Sequence, residues 1–304
     1  MRTILKGAAE RAIVWSGAAA LHRRRMSRRV LILAYHNIVP DDAPPIGDLA
    51  NHLPLTAFLQ QLDALRRTHH VVPLMEALAA PSRHGDRPRV VITFDDAYRG
   101  ALAHGLPALA AREMPATIFV APAFIGGRSF WWDALARPGA PGLDPVRRER
   151  ALAELRGEDA AVRAWALRDG VPLEIPPAVA CAASEKELAS AAAAPGVTLG
   201  AHSFAHPSLT RLSDAELAAE LEQPLAWLRA RFRNVVPVLA YPYGHFDGRV
   251  ERAARAAGYD AALAVSGGWL SDRPAHPFAL PRVNVVPGLS VHGFALRAAG
   301  LLSG

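Results

Sequence analysis

The sequence is poor in cysteine, in lysine and in apolar stretches long enough to cross a membrane. Its one cysteine, Cys181, excludes an internal disulfide and a cysteine-rich zinc site, so any metal must be held by histidines and carboxylates. Lys6 and Lys186 are its only lysines, and the heavy use of arginine and alanine reads as compositional bias. The apolar run at residues 12–22 has eleven residues, whereas a bilayer span needs about 20. Glu10 and Arg11 precede that run and Arg23–Arg25 follow it, the wrong flanks for a secretory signal. The expectation is therefore a cytoplasmic protein without a signal peptide. Residues 1–29 then read either as a surface helix ahead of the domain or as a basic amphipathic segment in peripheral contact with the inner face of the membrane. A Gly-rich phosphate loop is missing, and so is a Gly-x-Ser-x-Gly elbow, which argues against a serine esterase.

At 304 residues and 51% hydrophobic content, the chain can form one large α/β domain or two small ones. The formal charge of +6 is concentrated in residues 1–29, which carry eight Lys/Arg and one acid. The rest of the chain is nearly neutral, so no nucleic-acid surface is expected.

Short apolar runs alternate with helical patterns. Strands are expected at 30–35, 89–94, 116–120, 197–200, 235–240, 261–265 and 282–286, with Pro237 limiting the pairing of the fifth. Helices are expected after Thr56, over 98–112 and 145–170, from the Ser213/Glu216 capping box to about Arg231, and from Asp247 to Gly258. Such alternation predicts a parallel sheet, open or closed as a barrel. The stretch from about 128 to 194 lacks strand signals and reads as a helical insertion, which leaves a basic segment (1–29) and one domain (30–304).

In such folds chemistry sits at the carboxyl ends of strands. Four places qualify: Tyr35-His36, Asp95-Asp96, His202 with His206, and Tyr241-Pro242-Tyr243-Gly244. One Asp suffices to cap a helix, and two adjacent carboxylates repel unless a cation or proton offsets them. The i, i+4 histidines fit one face of a helical turn, where they could share a metal. An Asp and two His make a three-ligand site with an open position, and a second carboxylate beside it is a ready general base. Cys181 reads as inert, and His69, His70, His84 and His104 read as surface. Trp131 and Trp132 fit either a sugar-stacking platform or core packing, and Trp269 fits core.

The order Thr93-Phe94-Asp95-Asp96, His202-Ser203-x-x-His206-Pro207 and Tyr241-Pro242-Tyr243-Gly244 resembles the NodB-type polysaccharide deacetylases, carbohydrate esterase family four. Tyr35-His36, Trp131-Trp132-Asp133 and Leu280-Pro281-Arg282 resemble bacterial members associated with exopolysaccharide synthesis. The resemblance implies a distorted, TIM-like (β/α) barrel, a divalent metal, usually zinc, and removal of acetyl groups from a glycan or sugar-lipid. It implies Asp95 as general base, Asp96, His202 and His206 as metal ligands, and the Tyr243 N–H as oxyanion donor. Beside that resemblance, His36, Trp132, Tyr241 and Arg282 are expected on the substrate side, although His36 reads equally well as a plain loop histidine.

Two departures stand out. Ala240 occupies the place where many members carry an Arg that orients the base, so Arg282 is expected to substitute from another strand. The late Leu-x-His of the general acid is missing, which leaves His292, one residue out of pattern, or His276. Two rival readings are hydrolysis of another non-peptide C–N bond at the same site and a degenerate module that binds glycan without turnover.

Overall fold

The computed structural model describes residues 2–45, 47–79, 87–137, 142–271 and 274–302. Seven parallel strands curl into a distorted (β/α) barrel: β1 (Val30–Tyr35), β2 (Arg89–Phe94), β3 (Ala116–Val120), β4 (Val197–Ala201), β5 (Val235–Ala240), β6 (Ala261–Leu263) and β7 (Val283–Asn284). Their order is β7-β1-β2-β3-β4-β5-β6, and a short strand at His70–Val71 pairs on β2. β1, β2 and β3 are buried at every position, as expected of parallel strands covered on both faces, which is why they read as unbroken apolar runs.

The last two expected strands are shorter than their apolar runs. The reason lies in residues 277–285, which cross from one edge of the sheet to the other. Leu280 exchanges backbone hydrogen bonds with Ala262 and Ala264 beside β6, and β7 then pairs with β1. Pro237, which has no N–H to donate, lies where the β4–β5 register shifts.

Helices cover the outside. α1 (Arg2–Trp15) and α2 (Ala18–Arg25) precede β1, and α3 (Leu55–Thr68) follows it. The segment between β3 and β4 contains α4 (Trp131–Leu135), α5 (Pro145–Ala153), α6 (Asp159–Arg168) and α7 (Glu185–Ala192), the helical insertion expected from sequence. α8 (Asp214–Arg231) opens on the Ser213/Glu216 capping box, and α9 (Gly248–Ala256) on Asp247. α10 (Val291–Ala298) closes the chain against α1 and α3. The helix expected over 98–112 widens to a π-turn at Ala101–Gly105, just ahead of Pro107.

His69, expected at the surface, is buried. Its Nε2 lies 3.0 Å from the Ala298 carbonyl and its ring stacks on Trp269, fastening the end of α3 to the end of α10. His84 lies outside the described residues.

Candidate active site

β2 is followed directly by Asp95 and Asp96, both about 2% exposed. The Asp95 N–H donates to the Tyr35 carbonyl, continuing the sheet for one more residue. Asp96 and Ala97 then take φ of 68° and 49°, an uncommon left-handed pair that turns the chain sharply and separates the two carboxylates.

Arg282 is fully buried and forks onto Asp95, with Nη1 to Oδ1 at 2.7 Å and Nη2 to Oδ2 at 2.9 Å. Its Nη1 also reaches Thr93 Oγ1 and its Nε the Ala264 carbonyl, both at 3.3 Å. The arginine missing at Ala240 is thus replaced from the 277–285 crossing. Set on the substrate side by the sequence reading, Arg282 instead spends its donors on the protein. Burial alone would raise the Asp95 carboxyl, but the Arg282 guanidinium outweighs it and holds Asp95 well below the usual carboxylate range.

His202 follows β4. Its Nδ1 lies 2.7 Å from the Ala240 carbonyl, which fixes the Nδ1–H tautomer and leaves the Nε2 lone pair facing Asp96. His206 comes back to the same point through a turn rather than the expected helical face. Ser203 and His206 both have positive φ, 57° and 59°. The His206 N–H donates to Ser203 Oγ, and the Phe204 and Ala205 N–H groups both donate to one carboxylate oxygen of Glu220, on α8, at 2.9 and 2.8 Å. Sequence reasoning missed Glu220, which sits in the middle of an ordinary helical pattern.

The three potential ligand atoms form a compact triangle. His202 Nε2 and His206 Nε2 are 3.1 Å apart, and they lie 3.7 and 3.5 Å from Asp96 Oδ1. A tetrahedral zinc ion with bonds of about 2.05 Å has ligand–ligand edges of about 3.3 Å, close to all three. Asp96 Oδ1 is buried and accepts no hydrogen bond. Burial, then Asp95 and Asp133, push the Asp96 carboxyl well above its ordinary range, a demand for positive charge that the protein does not meet there. Burial pushes both histidines down, so both imidazoles are neutral, as metal ligands must be. Donor chemistry, spacing and the orphaned oxygen all fit a divalent cation.

The triad opens into a cleft of about 250 Å³. His36, Asn284 and His245 line it at strand ends and the loop after β5, while Trp132 and Arg148 line it from the insertion. Asn284, His245 and Arg148 were not singled out from sequence, although a polar residue ending an apolar strand, as Asn284 does, is a usable signal. Arg148 ion-pairs with Asp48.

Trp132 is the part of the Trp-Trp pair that meets the site, its ring 5.0 Å from His206. Trp131 is core, and its Nε1 donates to the Tyr243 hydroxyl. Asp133 is the hub that holds this wall. It accepts from the Tyr98 hydroxyl and the Asp48 N–H and lies 2.9 Å from His52 Nε2, and Tyr98 in turn accepts from Trp132 Nε1.

Tyr243 has φ 58° and packs its ring 4.6 Å from His206. Tyr241 reaches the cleft, but its ring stacks on Phe246 and its hydroxyl donates to the Phe278 carbonyl, so its side chain is structural. His292, in the first turn of α10, and His276 are not among the residues that line the cleft; His36 and His245 are. Burial pushes His36 down to about 4 against the pull of Asp95.

A parallel barrel with a fork-held carboxylate beside an Asp-His-His triad, at the carboxyl ends of its strands, defines a barrel hydrolase. A family model described as polysaccharide deacetylase matches residues 82–262, and the chain belongs to that family. It is a hydrolase of the carbohydrate esterase type, and the family's reaction is deacetylation of glycans.

Solved structures share the fold. A polysaccharide deacetylase from Bacillus cereus matches with a TM-score of 0.63 at 16% identity, covering 88% of this chain and 68% of that one. IcaB from Ammonifex degensii matches at 0.60 and 18%, covering 90% and 97%. The Streptococcus pyogenes deacetylase PplD, solved with acetate, matches at 0.59 and 17%, covering 87% and 96%. A search of curated proteins finds no match.

Proposed function

We propose that the protein is a metal-dependent deacetylase that removes acetyl groups, N-acetyl in preference, from a glycan. The observation that carries this reading is the fork-held Asp95 placed directly beside the Asp96–His202–His206 triangle. Asp96, His202 and His206 would hold the cation, and the mixed nitrogen and oxygen donors at tetrahedral spacing favour zinc. When bound, such an ion supplies Lewis acidity, polarising an acyl carbonyl and acidifying water.

The chain's own groups do the rest. Asp95, ionised and aimed by Arg282, accepts the proton of the attacking water. The Tyr243 N–H donates to the oxyanion of the tetrahedral adduct, a contact typically worth about 2.7–4 kcal/mol. The leaving nitrogen needs a proton. His36, just after β1, takes that role in place of His292, because it lines the cleft together with Asp95 and the triad. Neutral at rest, it takes over the proton that Asp95 accepts from the water and passes it to the leaving nitrogen, so that Asp95 ends ionised and His36 neutral again. Trp132 offers its ring as a wall against the sugar.

The test is acetate release from a panel of acetylated oligosaccharides, with zinc added and with chelator as control. Chelator-sensitive release is expected. No release from protein shown to bind one metal per chain would overturn the reading in favour of another C–N substrate or binding alone.

A further inference from the structure

We propose that the N-terminal helix pair and the chain's last turn form a docking surface for an anionic lipid bilayer, oriented so that the cleft faces away from the lipid. The proposal concerns the far end of the barrel and stands apart from the catalytic reading.

The helix pair is fixed to the body. α1 and α2 break at Gly17, whose φ is 80°. On the inner side Ser290 Oγ donates to the Glu10 carboxylate at 2.6 Å, and Ala19 and Val14 pack with Leu296 and Ala299 of the C-terminal helix region. The outer side is unusual for a soluble surface. Trp15 is 76% exposed and Leu21 56% exposed, one on each side of the break, and Ile13 is exposed too. Leu301 and Leu302 join them: a Cβ on Gly300 would lie 3.4 Å from His22 Nε2, which places the last turn against α2. Five of the nine exposed large hydrophobic residues, among those described, fall in this one region.

Its charge has one sign. Arg11, Arg24, Arg25, Arg28 and Arg29 are exposed, and the Arg11 guanidinium lies 5.9 Å over the Trp15 ring. Glu10 is the only acid in residues 1–29, and it is turned inward. Exposed Trp and Leu ringed by arginine match the layered chemistry of an anionic bilayer, with apolar groups below and phosphates above. A nucleic acid would use the arginines but leave Leu21, Leu301 and Leu302 without a partner.

The orientation follows from topology. Arg29 leads directly into Val30, the first residue of β1, which exchanges backbone hydrogen bonds with Leu270. The surface therefore lies at the amino end of β1 and the cleft at its carboxyl end. A six-residue strand separates them by about 20 Å. A docked enzyme would thus work on glycan reaching it from the water side, not on a sugar lying flush with the lipid.

The test uses the full chain and vesicles of phosphatidylcholine with or without phosphatidylglycerol. Sedimentation with the anionic vesicles is expected, with little on neutral ones and release at about 0.5 M salt. Trp15→Ser with Leu21→Ser, and separately Arg24→Glu with Arg25→Glu, should each weaken binding by about tenfold or more without shifting the melting temperature, since all four side chains are exposed. Absence of binding, equal binding to neutral vesicles, or indifference to both double variants overturns the docking surface. Hydrogen exchange of the bound chain should show added protection at residues 11–25 and none at 242–246. Protection of the cleft loop instead overturns the orientation.

Discussion

Arg282 and Asp95 are 187 residues apart in sequence and form a two-point fork at 2.7 and 2.9 Å in a fully buried setting. The fork fixes the carboxylate's plane and keeps it ionised. Arg282→Gln removes the charge that outweighs burial, so the Asp95 carboxyl should rise. The acid limb of the rate profile should then move to higher pH, and stability should fall by about 3–5 kcal/mol for a stranded buried charge. Arg282→Lys keeps the charge without the fork, so it should rescue part of the pH profile. A profile unchanged in both variants would contradict the role given to the pair.

Glu220 bonds two consecutive N–H groups of the turn between His202 and His206. Glu220→Ala should leave those half-buried donors without their acceptor and let the turn relax. Zinc affinity measured by calorimetry should drop by about 10–100-fold, the usual range for residues that orient ligands. Glu220→Gln keeps an acceptor oxygen and should fall between. Unchanged affinity in Glu220→Ala would show that the turn holds itself.

His36→Gln separates leaving groups. An alkoxide departs more readily than an amide anion, so the variant should lose far more rate on N-acetyl than on O-acetyl substrates. A loss of about 100-fold or more on the amide is expected for a missing proton donor. Parallel loss on both would mean that His36 acts in binding.

His69 gives the fold a pH dependence of its own. Burial pushes it down to about 3, below its ordinary 6.5, despite the Ala298 carbonyl beside it. Between those values the unfolded chain binds a proton that the folded chain does not, so stability rises with pH across that window and is lost as pH falls from about 6.5 toward 3. The loss is on the order of 2 kcal/mol by pH 5. In His69→Gln, denaturant unfolding at pH 7 and pH 5 should show a flatter slope, and an identical slope would remove His69 as its source.

β1, β2 and β3 are legible because both of their faces are buried, so each reads as a largely apolar run. Asp95-Asp96 and His202 stand out because they end such runs. The helical face inferred for His202 and His206 was wrong because i, i+4 spacing does not distinguish a helix from a turn with left-handed residues at Ser203 and His206. The lack of an arginine at Ala240 pointed to Arg282, but its two-point geometry depends on where residues 277–285 cross between β6 and β1, which no local pattern records. His292 was favoured by nearness to a motif along the chain, whereas the barrel brings the end of β1, with His36, to the centre. His69 illustrates the same limit, since a histidine at a helix end looks alike whether another helix covers it or water does.

The most direct test of the central claim is acetate release by zinc-loaded Asp95→Asn compared with wild type at equal metal content. The amide can neither accept the water's proton nor carry the charge that Arg282 pairs with. Full metal binding with a rate lower by about 100–10,000-fold is the predicted result. A zinc-loaded variant that releases acetate at the wild-type rate would contradict Asp95 as the base.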